Sequence, residues 1–245
     1  MKNFLKTAVA GCAVLCSFAA NADTTANVAY TTDYVFRGIS VSNESFALQG
    51  GFDWTHDSGF YAGTWASSLS GGNGSELDIF AGYYTKMGAL RLHGGLYHYN
   101  YARNSAANIN EILIGVGFGP VDLEIWHADK SINDDLSSTK PNWEYEYIEL
   151  NAEFEPMKDI GLALHVGKWL WHGASDGVNS WKDNIDYSVS ISKEIAKLDW
   201  TVSAHGNGMS KGDKGVGALC GDAEGRLCDS RVVLTVSKTM DRSEE

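Results

Sequence analysis

Beyond its first two dozen residues the chain contains no run of about 18 consecutive apolar residues, so no segment could cross a bilayer as a helix. Strands remain open, because a membrane β-strand needs only about 9–11 residues of alternating polarity. Proline is scarce. Pro120, Pro141 and Pro156 are the only three, and each falls between alternating stretches, where a missing backbone donor costs no ladder bond. Bases are outnumbered, with 19 Lys and Arg against 31 Asp and Glu. That balance disfavours nucleic acid as a partner and favours cations wherever the acids cluster. Among seven histidines there is no HExxH or other paired-ligand spacing, so neither a metal nor another cofactor is expected.

What the chain does have begins with a targeting segment. Lys2 and Lys6 give a basic start, Thr7 to Phe18 an apolar run, and Ala20-Asn21-Ala22 an A-x-A cleavage site. The spacing predicts a signal peptide over 1–22 and a single exported domain over 23–245. A lipidation box ending at Cys12 fits less well, because too few apolar residues separate Lys6 from Gly11. Removing Lys2 and Lys6 takes the formal charge from −12 to −14. Cys12 and Cys16 leave with the leader. Cys220 and Cys228 remain, and a close pair in an exported chain reads as a local disulfide.

The dominant pattern in the mature chain is period two, the mark of strands with one apolar face. Val28, Tyr30, Tyr34 and Phe36 alternate with Asn27, Ala29, Thr31, Asp33 and Arg37. Phe46, Leu48, Phe52 and Trp54 alternate with Ala47, Gln49, Gly51 and Asp53. The same rhythm runs through Leu77–Tyr83, Leu90–Leu96, Ile112–Phe118, Val121–Ile125, Ile148–Phe154, Ile160–Val166, Ile185–Ile191, Leu198–Ala204 and Val232–Val236. With Phe60–Ser67, whose faces do not separate cleanly, twelve strands are expected.

The connections sort by length. Short turns are predicted at His56–Gly59, Lys86–Gly88, Gly119–Pro120, Glu155–Asp159 and Lys193–Lys197. Longer polar loops are predicted at Gly38–Asn43, Leu69–Ser75, Ala102–Asn108, Asp129–Trp143, Leu170–Ser180 and Asn207–Asp229. Strict alternation of short and long is what an up-and-down outer-membrane barrel requires. A soluble β-sandwich would also alternate in polarity, but its loops would not sort this way. Only a closed barrel pairs every strand backbone group inside lipid. The fold expected is therefore all-β, a transmembrane antiparallel barrel of about twelve strands in a bacterial outer membrane. Phe36, Trp54, Phe60, Phe118, Trp126, Phe154, Trp169, Trp181 and Trp200 lie near strand ends and are expected in two interfacial girdles.

Tyr30-Thr31-Thr32-Asp33-Tyr34-Val35-Phe36-Arg37-Gly38-Ile39-Ser40 resembles the opening strand of a proteobacterial family. So do Gln49-Gly50-Gly51-Phe52-Asp53, Gly59 to Ser67, and Ser75-Glu76-Leu77-Asp78. It is the TorF porin family, also catalogued as the Gcw_chp conserved hypothetical proteins. The resemblance is specific over the first third of the mature chain and looser beyond it. It implies an outer-membrane, porin-like barrel and says little about the solute. The chain departs from many such barrels at its end, where Lys238 to Glu245 carry no terminal aromatic residue.

Chemistry has few footholds. Gly173-Ala174-Ser175-Asp176-Gly177 matches the G-x-S-x-G nucleophile pattern, but it sits in a loop between strands and not on a strand-to-helix elbow. His93 or His165 could serve a barrel hydrolase, although spacing assigns neither a Ser nor an acid partner. By parity Asp33, Asp53, Glu76, Asp78, Asp122, Glu124, Glu149, Glu153, Asp186 and Asp199 point into the lumen, with Arg37, Arg91 and His93 among them. Carboxylate rings select cations. The function expected is passive diffusion of small hydrophilic solutes through a weakly cation-selective pore, with Arg37 and Arg91 opposing carboxylates at a constriction. The expected partners are outer-membrane lipid and small solutes or cations, and a homo-oligomer is possible. Two alternatives stay open: a barrel enzyme hydrolysing lipid or peptide, and a non-conducting adhesion or scaffold barrel. Twelve strands fall between barrels of about 8, filled by their own side chains, and those of 16–18, which enclose a channel. A loop folded inward would narrow such a pore, with Asn207–Asp229 the first candidate and Asp129–Trp143 the second.

Overall fold

The computed structural model describes residues 22–70, 74–128, 144–172, 183–209, 220 and 225–241. The predicted leader, the Asp129–Trp143 loop, Ser175, Trp181 and most of the Asn207–Asp229 loop lie outside them. Twelve strands close into one antiparallel barrel. They are β1 (Ala22–Thr31), β4 (Ala47–His56), β5 (Phe60–Ser68), β6 (Ser75–Met87), β7 (Leu90–Tyr101), β8 (Ile109–Phe118), β9 (Val121–Ala128), β10 (Tyr145–Met157), β11 (Ile160–Trp171), β12 (Asn184–Ile195), β13 (Leu198–Asn207) and β14 (Arg231–Asp241). Two further short strands, β2 (Val35–Phe36) and β3 (Ile39–Ser40), pair only with each other. Each barrel strand pairs with its neighbours in sequence. Closure comes from β1, which pairs with β4 along one edge and β14 along the other.

The short turns all lie at one end and are as tight as their sequences allow. Gly59, Gly88 and Gly119 hold positive φ there, and Ala196 and Lys197 take φ of 55° and 63°, the left-handed pair that a two-residue turn between twisted strands demands. The long loops lie at the other end. Period two then decides the two faces. Leu77, Ile79, Leu96, Ile114, Leu123, Ile125, Val189 and Ile191 are all exposed on the outer wall, an apolar band far larger than a soluble monomer leaves uncovered and suited to lipid.

Aromatic residues divide differently from expectation. Phe60, Phe118, Phe154 and Trp200 are exposed at the short-turn ends of their strands, as a girdle requires. Trp126 and Trp169 instead face inward, the first donating to Glu149 and the second 6% exposed. Their parity on β9 and β11 places them opposite the outward Ile125 and Leu170. Phe36 is also inside, because it does not belong to the wall at all.

The first strand ends at Thr31, well short of the Arg37 to which its alternation had extended it. Residues 32–46 turn into the barrel and carry the β2–β3 hairpin across the lumen. Its tip is Arg37-Gly38, with φ of 47° and 79°, a two-residue turn with both residues left-handed. Asp33, Tyr34, Phe36 and Arg37 are thus hairpin residues and not wall residues. A loop that folds inward is thus the first one, 32–46, while most of the Asn207–Asp229 candidate and all of Asp129–Trp143 lie outside the described residues.

Candidate functional site

The buried part of the molecule sits in the long-loop half of the lumen, around this hairpin. Phe80, Tyr97, Tyr99, Tyr145, Tyr147 and Trp169 form its aromatic wall over β6 to β11, with Leu113 among them, and Phe36 packs against the cluster. Glycines let those rings lie flat: a Cβ on Gly167 would fall 1.9 Å from the Tyr147 hydroxyl. The short-turn half is less filled, with half-buried polar residues such as Asp53, Arg91 and Asp122.

Arg37 reaches the far wall. Its guanidinium donates to both oxygens of Glu111 on β8, at 2.6 and 2.9 Å, a forked geometry matched to a carboxylate. The Tyr145 hydroxyl donates to the same Glu111, at 2.6 Å. The guanidinium carbon also lies 4.7, 5.1, 4.3 and 5.0 Å from the ring centroids of Phe36, Trp126, Tyr147 and Trp169, so four π faces surround one cation. Gly38 has no room to be anything else, since a Cβ there would meet the Asp186 Cβ at 2.5 Å. Its carbonyl accepts from Asn207 Nδ2 at 3.2 Å.

At its base the hairpin is clasped by Arg231, the first residue of β14. One guanidinium nitrogen donates to Asp33 at 2.7 Å, while others donate to the carbonyls of Arg226 and Asp229 at 2.9 and 3.0 Å. Ser40 donates to the same Asp33 at 2.7 Å. The expected disulfide is formed between Cys220 and Cys228, and both cysteines pack on Ile39. The described part of the Asn207–Asp229 loop therefore caps the hairpin from outside.

Several of the other predicted lumen residues fall into pairs. Arg91 donates to Asp122 at 2.6 Å, and His93 Nε2 lies 2.9 Å from Glu124. His165 lies 2.9 Å from Asp186 and 3.4 Å from Glu149, and the Tyr147 hydroxyl donates to Asp186 at 3.1 Å. Glu153 is exposed near the short-turn end. Asp53 is half-buried there, while Glu76 and Asp78 are 2% and 7% exposed on β6 and make no ion pair among the described residues. The sequence reading missed Glu111, Arg231 and the inward Tyr99, Tyr145 and Tyr147. Parity could have found the first two, since they oppose Ile112 and Val232. Parity already sets Tyr97 opposite Leu96, while Tyr99, Tyr145 and Tyr147 are assigned no face in that reading.

The family model for a bacterial protein of unknown function (Gcw_chp) matches residues 17–240. No curated protein matches the chain. Among solved structures, the fold is similar to that of the KdgM porin, with a TM-score of 0.54 at 8% identity over 87% of this chain and 98% of that one. The NanC porin is similar to the same degree, with a TM-score of 0.54 and 8% identity over 88% and 98% of the two chains. A KdgM porin in complex with disordered oligogalacturonate gives 0.51 at 8% identity, over 88% and 98%. At such identities the likeness concerns the fold, that of a porin-like barrel.

Proposed function

The chain belongs to the Gcw_chp family of bacterial proteins of unknown function, and we propose that it is a narrow outer-membrane channel for the passive diffusion of small hydrophilic solutes, cationic or neutral. One observation carries the reading. Among the described residues Arg37, Arg91 and Arg231 are each bound to an acid, while Asp53, Glu76 and Asp78 have no basic partner. Acids without a base bias the lumen toward a negative field, which a low-dielectric wall would focus and which supports the passage of cations. A polyanion such as the oligogalacturonate bound by one similar porin is disfavoured by the same field. The hairpin across the long-loop half limits the size of what passes.

The test is single-channel conductance of the refolded mature chain in a planar bilayer under a salt gradient. Discrete steps with a cation-favouring reversal potential are expected, and Asp53→Asn should move that potential toward zero. An anion-favouring potential would overturn the selectivity. The filled long-loop half favours a second reading, a closed barrel that works through its loops. A silent bilayer from folded protein would put that reading first.

A further inference from the structure

Five carboxylates are buried among the described residues: Asp33, Glu76, Asp78, Glu111 and Asp186. Three have cationic or imidazole partners, in Arg231, Arg37 and His165. Glu76 and Asp78 have neither. They stand two residues apart on the inward face of β6, and Asp78 lies within electrostatic reach of both Glu76 and Glu111. Glu76 Oε1 accepts from the Tyr101 hydroxyl at 3.2 Å, but Glu76 Oε2 and Asp78 Oδ1 are buried with no hydrogen-bond partner among the described residues. Burying an ionised carboxylate without a counter-charge costs several kcal/mol on the order-of-magnitude scale for such groups, and here two adjoin a third. A cation placed against them would remove that cost.

The neighbouring site shows what kind of cation this lumen holds. Around Arg37 a carboxylate and aromatic faces hold a guanidinium, and the pair on β6 likewise combines carboxylates with aromatic side chains, Tyr101 and Tyr34. Tyr101 borders it on β7, and Tyr34 of the hairpin stalk packs edge-on to Trp65 at 5.0 Å. A metal fits less well, because no three His, Cys, Asp or Glu side chains converge as a metal site among the described residues. We propose that Glu76 and Asp78 form a solute subsite that accepts the ammonium or guanidinium group of a small organic cation, with Tyr34 and Tyr101 as flanking rings. This rests on the cation-passing reading and names its solute class. Neither unpartnered oxygen touches solvent, so the cation enters as the hairpin stalk yields.

The test is isothermal titration of the full mature barrel in detergent with 1,4-diaminobutane at fixed ionic strength, with folding checked by heat-modifiable gel mobility. Saturable binding is expected in the wild type. Glu76→Gln and Asp78→Asn should each weaken it at least tenfold, while Asp57→Asn, on an exposed short turn, leaves it unchanged. Absence of saturable binding in the folded wild type overturns the subsite, as does equal affinity in both lumen variants. The two ideas fail separately. A conducting, cation-selective barrel that ignores the diamine removes the subsite alone. A silent barrel that still binds it through Glu76 and Asp78 removes the channel alone.

Discussion

Arg37 binds one carboxylate and four aromatic rings, and that chemistry sets what its loss should do. Its side chain is 6% exposed and that of Glu111 is 1% exposed, so removing one partner strands the other in a medium that solvates it poorly. Arg37→Ala should lower the midpoint of heat-modifiable gel mobility, with a loss of about 3–5 kcal/mol expected for breaking a buried pair. Arg37→Lys should recover part of that loss only, because a point charge cannot reproduce the two-pronged contact or the stacking over Tyr147 and Trp169. Combining Arg37→Ala with Glu111→Gln should be milder than Arg37→Ala alone, since the uncompensated charge is then gone. If the double variant were instead additive, the pair would not be acting as a unit. Larger conductance steps should accompany Arg37→Ala, because the hairpin tip has lost its attachment to the far wall.

The hairpin is the element on which the molecule turns, and it was the hardest to read. Tyr34 and Phe36 keep the parity of Val28 and Tyr30 across the single interruption of Thr32, so period two alone runs the first strand through to Arg37. Arg37-Gly38 could have marked a two-residue turn between β-forming residues, but the alternation leaves Arg37 in the strand and starts the loop at Gly38. The physical reason lies far away in sequence: Glu111, Arg231 and the aromatic wall stabilise the inward path, and no local pattern contains them. The disulfide was legible from spacing, but its contact with Ile39 was not. That contact makes a prediction. Cys220→Ser combined with Cys228→Ser removes the clip over β3 and frees the end of the loop that Arg231 holds to Asp33. The barrel should stay folded, while limited proteolysis near residues 39–46 accelerates and open-channel current becomes noisier. Unchanged proteolysis and unchanged noise would mean that Arg231 alone holds the hairpin base.

At the scale of the whole molecule the sequence was most informative, because barrel closure follows from repetition and not from any single contact. Twelve alternating stretches joined by turns of alternating length leave one arrangement in which every backbone group is paired and every apolar face points the same way. Observed pairs such as Leu150 beside Leu123 and Val166 follow that parity throughout. Where parity was applied, to Glu76, Asp78, Glu124, Glu149 and Asp186, it put the acids on the inner face; where residue type was used instead, Trp126 and Trp169 were assigned to the wrong side. The same logic separates a lipid-facing barrel from one in water. Ile114 sits mid-way along β8 and is 67% exposed on the outer wall. In water, Ile114→Arg would be neutral or helpful to folding. In a bilayer, an arginine near the midplane of the lipid face should cost about 2–4 kcal/mol. Thr201→Arg, pointing into the less filled half of the lumen, carries no such lipid penalty. Urea titration of both variants, refolded into phosphatidylcholine vesicles, should therefore show Ile114→Arg as the more damaging. Equal stability of Ile114→Arg and wild type in vesicles would mean that the apolar band faces something other than lipid.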